Sequence, residues 1–339
     1  MKKILLLLLC LLLCACSNEA DEVGYTRTVK TEFILGTQIE IVLGDHATDE
    51  AFEAIFERLR EIETMMSSTI PESDIYQLNR AQGKPFTVHE DTYEVIESAV
   101  KYQQESGGFF DASMGRVTEL WQISSDEPYF PTPEEVQEAL LHVDGSKIQL
   151  LGNNRVQIEE GMNLDLGGIA KGYAADQLLS IASEHNIHAA IFNLGGDVVV
   201  KGNKEGAPFV LGIQDPLSDK HGEPLGSLPA EDQTLVTSGD YERFFIGPDG
   251  KTYHHIFDYR TGYPATNELA SVSILTKHAM DADALSTAIY AMGLEEGLRF
   301  AEARDDMEAI LITHEREIYL TSGVKDSFEL FNTTYTIKE

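Results

Sequence analysis

Apolar and polar positions follow two different spacings along the chain, and these predict both strands and helices. Across 26–43 they alternate on either side of Gly36, which is typical of two strands joined by a bend. Across 49–66 the apolar residues recur every three or four positions, which predicts an amphipathic core helix. Two more helices are predicted at about 92–105 and 133–141.

Strand and helix patterns continue in mixed order through the rest of the chain. The segment 148–158 holds two short apolar runs around a Gly-Asn-Asn turn, which predicts a hairpin. A helix is predicted to begin near Gly168 and to be followed by a strand at 189–194. A further strand at 271–276 leads into a helix from about Asp281. Because strands and helices do not alternate strictly, the fold class is predicted to be α+β.

Composition narrows the kinds of partner that the chain can have. With 339 residues and 42% hydrophobic content, the chain can bury the core of one large unit or of two closely joined ones. The 57 acidic and 25 basic residues give a formal net charge of −32. Such a field repels nucleic acid and anionic membrane surfaces, so we expect neither as a direct partner. An anionic ligand would need a cation or local positive potential beside it.

The first sixteen residues have the pattern of a bacterial lipoprotein signal. Lys2 and Lys3 precede an apolar run at 4–13 that is too short for a membrane-spanning helix. Ala15 followed by Cys16 resembles a lipobox, in which the cysteine is acylated and becomes the new N-terminus. A plain signal peptide that is cut elsewhere is the alternative.

This pattern predicts three parts of the chain and a location. Residues 1–15 would be the signal peptide, 16–24 the lipidated cysteine with an acidic tether, and 25–339 the folded catalytic body. The protein is then expected on the extracytoplasmic face of a cell membrane, held by its lipid. All three cysteines lie in the first sixteen residues, so no internal disulfide is expected in the mature protein.

A glycine-rich turn at 165–176 is a candidate phosphate site. A predicted strand leads into Gly167 and Gly168 and then into a helix that carries Lys171. Backbone N–H groups at a helix N-terminus, with a lysine close by, suit a phosphate. The alternative is an ordinary glycine turn with a solvated lysine.

The helix predicted from about Asp281 carries a candidate cation site. Asp283 and Thr287 are four residues apart, so their oxygen atoms lie on one helical face and can bind one hard cation. Capping of the helix by Asp281 or Asp283 is the alternative.

Adjacent histidines provide a candidate general base. His254 and His255 precede an acid and an Arg-Thr-Gly turn, and histidine titrates near neutral pH. The pair can equally be one buried structural ring and one exposed ring, while the spacing does not favour a zinc site. Two glycine-containing segments, 193–197 and 237–241, place short polar groups at strand ends, as in a ligand cleft.

Taken in this order, the segments resemble the ApbE family of FAD:protein FMN transferases, from about residue 33 to 293. The resemblance implies an ApbE-like, T-fold-related α+β fold, with mixed sheets packed with helices in a single large catalytic unit. It implies FAD as substrate and Mg²⁺ as cofactor. The reaction would transfer FMN from FAD to a Ser or Thr hydroxyl of an acceptor protein, a secreted or membrane redox subunit, and release AMP.

The resemblance also implies roles for individual residues. Catalysis is assigned to His255. Metal binding is assigned to the carbonyl of Gly168 with Asp283 and Thr287, and Ser286 is adjacent. The implied flavin-binding positions are Leu35, Thr69, Phe109, Phe110, Asp111, Asp165, Lys171 and Phe257.

The chain departs from the family pattern at two places. Thr69 stands where relatives often have a tyrosine, and the family's His-Ile-Ile-Asp-Pro becomes His-Ile-Phe-Asp-Tyr at 255–259. The first position is thought to help separate FMN transfer from FAD hydrolysis. This departure leaves one alternative, a Mg²⁺-dependent FAD pyrophosphatase that yields FMN and AMP. A flavin-binding surface lipoprotein without catalysis is a second alternative, of a different class.

Overall fold

A computed structural model of the chain describes residues 26–44, 46–220 and 222–338. The predicted signal peptide, Cys16 and the tether lie outside these residues. In the part that the structure describes, no helix is both long enough and apolar enough to cross a membrane.

Eight α-helices occur within the described ranges, and the sequence explains how several of them begin. Thr48 caps the first helix by accepting a hydrogen bond of 3.1 Å from the amide of Ala51. Thr132 and Glu135 form a capping box at the fifth, which has Pro133 in its first turn. The helices are α1 (Asp49–Met66), α2 (Asp74–Asn79), α3 (Glu90–Glu105), α4 (Gly115–Trp121), α5 (Pro133–Leu140), α6 (Ala170–Glu184), α7 (Ala279–Met292) and α8 (Leu294–Glu302).

A nine-stranded sheet forms the centre of the described fold, and its neighbouring strands are antiparallel except for the last pair at one edge. Strand order differs from chain order, so distant segments become neighbours. From one edge to the other, the strands are β1 (Thr28–Ile34), β2 (Thr37–Leu43), β6 (Ala190–Leu194), β7 (Asp197–Lys201), β10 (Gln233–Gly239), β13 (Leu269–Thr276), β14 (Met307–Thr313), β15 (Glu317–Leu320) and β17 (Thr336–Lys338).

Three small sheets accompany the central one. In the hairpin predicted at 148–158, Asn153 and Asn154 adopt φ angles of 52° and 57°, as a tight turn with two left-handed residues requires. The small sheets contain β3 (Phe86–Thr87), β5 (Arg155–Gln157) and β4 (Gln149–Gly152); β16 (Glu329–Leu330), β9 (Pro224–Ala230) and β8 (Phe209–Gln214); and β11 (Phe244–Ile246) with β12 (Thr252–His254).

The central sheet has apolar cores on both faces. All eight residues of β13 are buried, as expected for a strand covered on both sides. One core includes apolar residues of α1, α6 and α7. The other includes β8 and β9, and a third cluster surrounds Trp121. The candidate site lies on the face of the sheet that the helices cover, where α6 and α7 pack against the middle strands.

The predicted α+β class and the principal segments are confirmed. The helix predicted at 49–66 has those bounds, and Gly36 lies in the turn between β1 and β2. The helix expected near Gly168 begins two residues later, at Ala170, and the helix expected from Asp281 begins at Ala279. Because α7 begins at Ala279, Asp281 and Asp283 lie inside the helix and not at its N-cap position.

Candidate active site

Helices α6 and α7 meet at very close range where α6 begins. A Cβ atom on Gly172 would overlap the backbone carbonyl of Ala279, so only glycine allows this approach. Asp176, one turn further along α6, accepts hydrogen bonds of 2.8 Å from the amide of Ala279 and 3.0 Å from that of Met280. The N-terminus of α7 is therefore capped by a side chain from α6.

The alternative of capping by Asp281 or Asp283 is wrong. Asp281 accepts a hydrogen bond from the hydroxyl of Tyr102. Asp283 lies in the second turn of α7, is 3% exposed, and directs its carboxylate at α6.

Asp283 is held from two directions. Its Oδ2 accepts a hydrogen bond of 3.0 Å from the amide of Gly172, and its Oδ1 lies 3.3 Å from the Nζ of Lys171. Lys171 also forms an ion pair with Asp197, at the start of β7. The lysine side chain is only 21% exposed, so the alternative of a solvated lysine beside an ordinary turn is wrong.

Lys171, Asp197 and Asp283 form an ion-paired group. Their charges shift the pKa values of Lys171 and Asp197. Burial lowers the pKa of Lys171, but the two carboxylates outweigh burial and raise it, so the amine stays protonated. Burial raises the pKa of Asp197 and the charge of Asp283 raises it further, while Lys171 opposes both. One lysine thus faces two buried acids, and because the pKa of Asp197 is raised to about 7, that acid can bind a proton near neutral pH in place of a second cation.

Hydroxyl groups line the same face of α7. The Oγ of Ser238, from β10, lies 2.8 Å from that of Ser286 and 3.4 Å from the Oγ1 of Thr287. Ser286 in turn donates to the backbone carbonyl of Asp283 at 3.1 Å. A Cβ on Gly168 would stand 3.6 Å from the Oγ1 of Thr287, so the turn before α6 lies directly against this row.

These oxygens suit a magnesium ion. Carboxylate, hydroxyl and carbonyl oxygens are hard donors of the kind that Mg²⁺ prefers, and the structure brings Gly168, Asp283 and Thr287 to one place. Ser286 already has two partners, which favours a supporting role for its hydroxyl. Within the described ranges there is no group of three or more His, Cys, Asp or Glu side chains arranged for a metal ion; the predicted site contains one carboxylate and is of a different type.

His255 lies beside this group of charges. Its ring Nδ1 is 3.3 Å from the carbonyl of Arg243, so we assign the proton to Nδ1 and leave the lone pair on Nε2. Loss of solvation, followed by the charges of Arg243, His254 and Lys171, lowers the pKa of His255 to about 3. The ring is therefore neutral at neutral pH.

His254 has a structural role. Its side chain is buried, its Nε2 is 2.8 Å from the carbonyl of Ala265, and its ring packs edge-on against Tyr290. Burial lowers its pKa. One histidine of the pair is thus buried and structural. The other, His255, is partly exposed and lies close enough to Lys171 for its pKa to be affected by that charge.

Leu35 and Thr69, two of the implied flavin positions, lie near the C-terminal end of α1. The amide of Leu35 donates to Glu63 at 2.7 Å, and Leu35 has a φ of 56°. Thr69 is exposed, and its hydroxyl is 3.0 Å from that of Ser67. The turn after Leu35 contacts the central strands, since a Cβ on Gly195 would overlap Thr37.

The three implied aromatic positions lie in two different surroundings. Phe110 is buried, and one of its ring carbons would be 3.3 Å from a Cβ on Gly168. Phe109 packs edge-on against Tyr259, with ring centroids 5.8 Å apart. Phe257 belongs instead to the cluster around Trp121, with centroids 6.2 Å apart.

Asp111 and Asp165 already use their carboxylates within the fold. Asp111 accepts from the amide and hydroxyl of Ser113 and from the amide of Gly145, and burial raises its pKa. Asp165 accepts from Thr118 and from the amide of Gly167, each at 2.8 Å. Both side chains therefore shape the loops around the candidate site.

A model of the ApbE family matches residues 35–311, which is most of the chain. The chain belongs to the ApbE family. Among its curated relatives are proteins named FAD:protein FMN transferase from Treponema pallidum, 31% identical over 96% of this chain and 94% of the relative, and from Klebsiella pneumoniae, 31% identical over 90% and 95%.

Solved ApbE structures share the fold. The ApbE protein of Thermotoga maritima is 32% identical and superposes with a TM-score of 0.83, covering 89% of this chain and 99% of its own. The flavin transferase ApbE of Vibrio cholerae is 26% identical, with a TM-score of 0.81 and the same coverage. The expected ApbE-like α+β fold is thus confirmed, and the named relatives are enzymes.

The sequence reasoning missed four residues that organise this ApbE site. Asp197 and Ser238 lie in the two glycine-containing segments that were singled out, so polar side chains at strand ends were the signal for both. Arg243 could be found only through its pairing with His255 across the hairpin. Asp176 gave no signal, because its partners are 103 and 104 residues away.

Proposed function

We propose that the protein is an FAD:protein FMN transferase that requires Mg²⁺ and moves FMN from FAD to a Ser or Thr hydroxyl of an acceptor protein. The observation that carries this proposal is the meeting of Lys171, Asp283 and Thr287 where α6 and α7 begin. Relatives that carry this activity in their names, at 31% identity over most of the chain, support it.

The charge of the chain makes a cation necessary for this substrate. FAD carries a diphosphate, and the chain has a formal charge of −32. Lys171 is the cation nearest the proposed site, but Asp197 and Asp283 already engage it. Mg²⁺ held by Gly168, Asp283 and Thr287 would offset the charge on the phosphates and on the departing AMP.

The residues of the chain supply alignment and a proton acceptor. The Nδ1–H of His255 points at the carbonyl of Arg243, which fixes the ring and leaves Nε2 to accept the proton of the acceptor hydroxyl. The hydroxyl oxygen forms a bond to the FMN phosphorus, and the bond from that phosphorus to the bridging oxygen breaks. AMP leaves with that oxygen. Lys171 and the amides of the Gly167–Gly168 turn would bind phosphate oxygens.

The N-terminal pattern supports a location for the enzyme and a class of acceptor. Acylation at Cys16 would hold the enzyme on the extracytoplasmic face, where secreted or membrane redox subunits are its expected acceptors. Labelling cells with a fatty acid tests this: the wild-type protein should become labelled, and a Cys16→Ala variant should not.

A direct assay tests the activity. The purified enzyme is mixed with FAD, Mg²⁺ and a candidate redox subunit, and the subunit is analysed by mass spectrometry for FMN on Ser or Thr. We expect one FMN added for each AMP released, and no addition by a His255→Ala variant that still binds FAD. Absence of AMP under every condition would instead favour a flavin-binding lipoprotein without catalysis.

Hydrolysis of FAD is the second candidate function, and Thr69 favours it. An exposed threonine here leaves room where an aromatic ring is expected, so water could take the place of the acceptor hydroxyl. Without an acceptor, a pyrophosphatase releases free FMN and AMP, whereas a transferase releases little. A Thr69→Tyr variant should lower the ratio of hydrolysis to transfer; an unchanged ratio would remove Thr69 from this choice.

A further inference from the structure

A cavity of about 220 Å³ lies at the end of α6 opposite to the candidate active site. It is bordered by the C-terminal half of α6 and by residues at the ends of β7, β10 and β13. Strand β7 starts at Asp197, in the ion-paired group, and ends at Lys201, in the cavity wall. Four residues of extended strand separate the two places by about 13 Å.

The wall of the cavity contains a buried hydroxyl without a partner. Thr234 has no exposed surface, and its Oγ1 makes no hydrogen bond. Thr234 pairs with Val199 of β7, and two residues along β10, Val236 joins the core that includes α6. Because side chains two apart share a face of a strand, the side chain of Thr234 lies on the α6 side of the sheet, where the cavity is. Most buried hydroxyls in proteins are satisfied, so this one points to a missing partner.

The same wall carries positive charge. Lys201 and Lys277 both border the cavity, and neither forms an ion pair within the described residues. The Nζ of Lys201 donates to the Oγ of Ser183 at 2.8 Å, which holds the amine at the cavity. The one acid in the wall, Asp232, already accepts a hydrogen bond of 2.7 Å from the amide of Gly202. Two lysines and several residues with hydroxyl groups therefore border one space in a strongly acidic chain.

We propose that this cavity, bordered by Lys201, Lys277 and Thr234, binds a phosphate-type oxyanion. The two ammonium groups would repel a metal ion, and an apolar ligand would leave the hydroxyl of Thr234 unsatisfied. An oxyanion accepts hydrogen bonds from lysine amines and from Ser and Thr hydroxyls alike. The cavity is smaller than the pockets that bind drug-sized ligands, which suits an inorganic phosphate or a small phosphomonoester.

Calorimetric titration of the full-length protein with inorganic phosphate tests this site. EDTA is present throughout and ionic strength is held constant with chloride. We expect saturable binding of one phosphate per chain. A Lys201→Gln/Lys277→Gln variant should bind at least about tenfold more weakly, since each lysine supplies a charge-assisted hydrogen bond. A matched Lys84→Gln/Lys325→Gln variant, which removes two exposed lysines elsewhere, should bind as the wild type does.

Two further variants keep the test decisive. Thr234→Val has the same shape, removes no hydrogen bond within the fold, and should also weaken phosphate binding. Lys171→Gln, which removes the cation of the flavin site, should bind phosphate as the wild type does, and this separates the cavity from that site. A second titration, with AMP, shows whether the cavity also binds a phosphomonoester. If the same variants weaken AMP binding, AMP is assigned to this cavity.

The proposal is overturned by any of three results. The first is that the wild type shows no saturable binding. The second is that phosphate binds equally well to the Lys201→Gln/Lys277→Gln and Thr234→Val variants, both shown by thermal melting to be folded. The third is that binding disappears in a folded Lys171→Gln variant, which would place the phosphate at the flavin site.

Discussion

The amide of Gly172 donates a hydrogen bond of 3.0 Å to the Oδ2 of Asp283, so the first turn of α6 fixes a carboxylate in the second turn of α7. Both groups are buried, and the contact depends on the close approach of the two helices. With Oδ2 held in this way, the other oxygen of Asp283, Oδ1, lies towards Lys171.

Asp283→Asn should remove most Mg²⁺-dependent turnover of FAD. The amide has the size of the carboxylate but lacks its charge, and Mg²⁺ prefers charged oxygen donors. The measurement is AMP release as a function of Mg²⁺ concentration. Asp281→Asn is the matched control, because that carboxylate, two residues earlier on α7, contacts Tyr102 and should leave the magnesium dependence unchanged. Full activity of the Asp283→Asn enzyme would rule out this residue as a metal ligand.

Gly172→Ala should destabilise the protein although alanine favours helix more than glycine does. The new methyl group would overlap the carbonyl of Ala279, and overpacking of this kind costs about 1–3 kcal/mol. Urea unfolding measures the loss. Glu184→Ala, an exposed change near the other end of α6, is the control and should change stability little. A Gly172→Ala protein at least as stable as the wild type would show that α6 and α7 are further apart.

Asp176→Ala should cost about 0.5–2 kcal/mol of stability, the usual range for loss of a helix cap. The change leaves the amides of Ala279 and Met280 without their partner. Because α7 carries Asp283, the affinity for Mg²⁺ should also fall. An unfolding curve and a magnesium titration that both match the wild type would contradict the capping role.

The histidines should differ in their titration in the absence of FAD. Loss of solvation and nearby positive charges lower the pKa of His255 to about 3, so its ring signal in NMR should stay constant from pH 5 to 8. A hydrogen bond to Asp240, 3.0 Å from the ring, raises the pKa of His314 above its usual 6.5. His314 should therefore titrate at a pH above that value. A His255 signal that moves near pH 6.5 would contradict the environment described for it.

The His314 pair also predicts the direction of a stability change. A histidine whose pKa is raised by folding stabilises the folded state below the unfolded pKa of about 6.5. That contribution is lost as the pH rises through the higher folded value. His314→Gln should therefore destabilise the protein at pH 5.5 and have a smaller effect at pH 9, as measured by urea unfolding. Equal effects at both values would mean that the pair with Asp240 is not formed.

Local patterns predicted local structure well. Helix α1 has the predicted bounds, because its apolar spacing and its Thr48 cap lie next to each other in sequence. The pair Asp283 and Thr287 was found for the same reason, since a four-residue spacing defines one helical face. These features need no knowledge of distant parts of the chain.

Contacts between distant segments could not be predicted in this way. Nothing near Lys171 in the sequence indicates that it pairs with Asp197, and nothing near Asp176 indicates that it caps α7. The start of α7 was placed two residues late because the cap is missing from its own sequence. The order of strands in the sheet differs from their order in the chain, so segments such as β7 and β10 become neighbours only when the sheet forms.

The cap that Asp176 provides to α7 also bears on the order of folding. Its first partner is 103 residues away, so α7 can complete its N-terminal turn only after α6 has docked. Contacts of such separation form slowly, because a long loop must close first. We therefore expect FAD-binding competence to return later in refolding than helical content does.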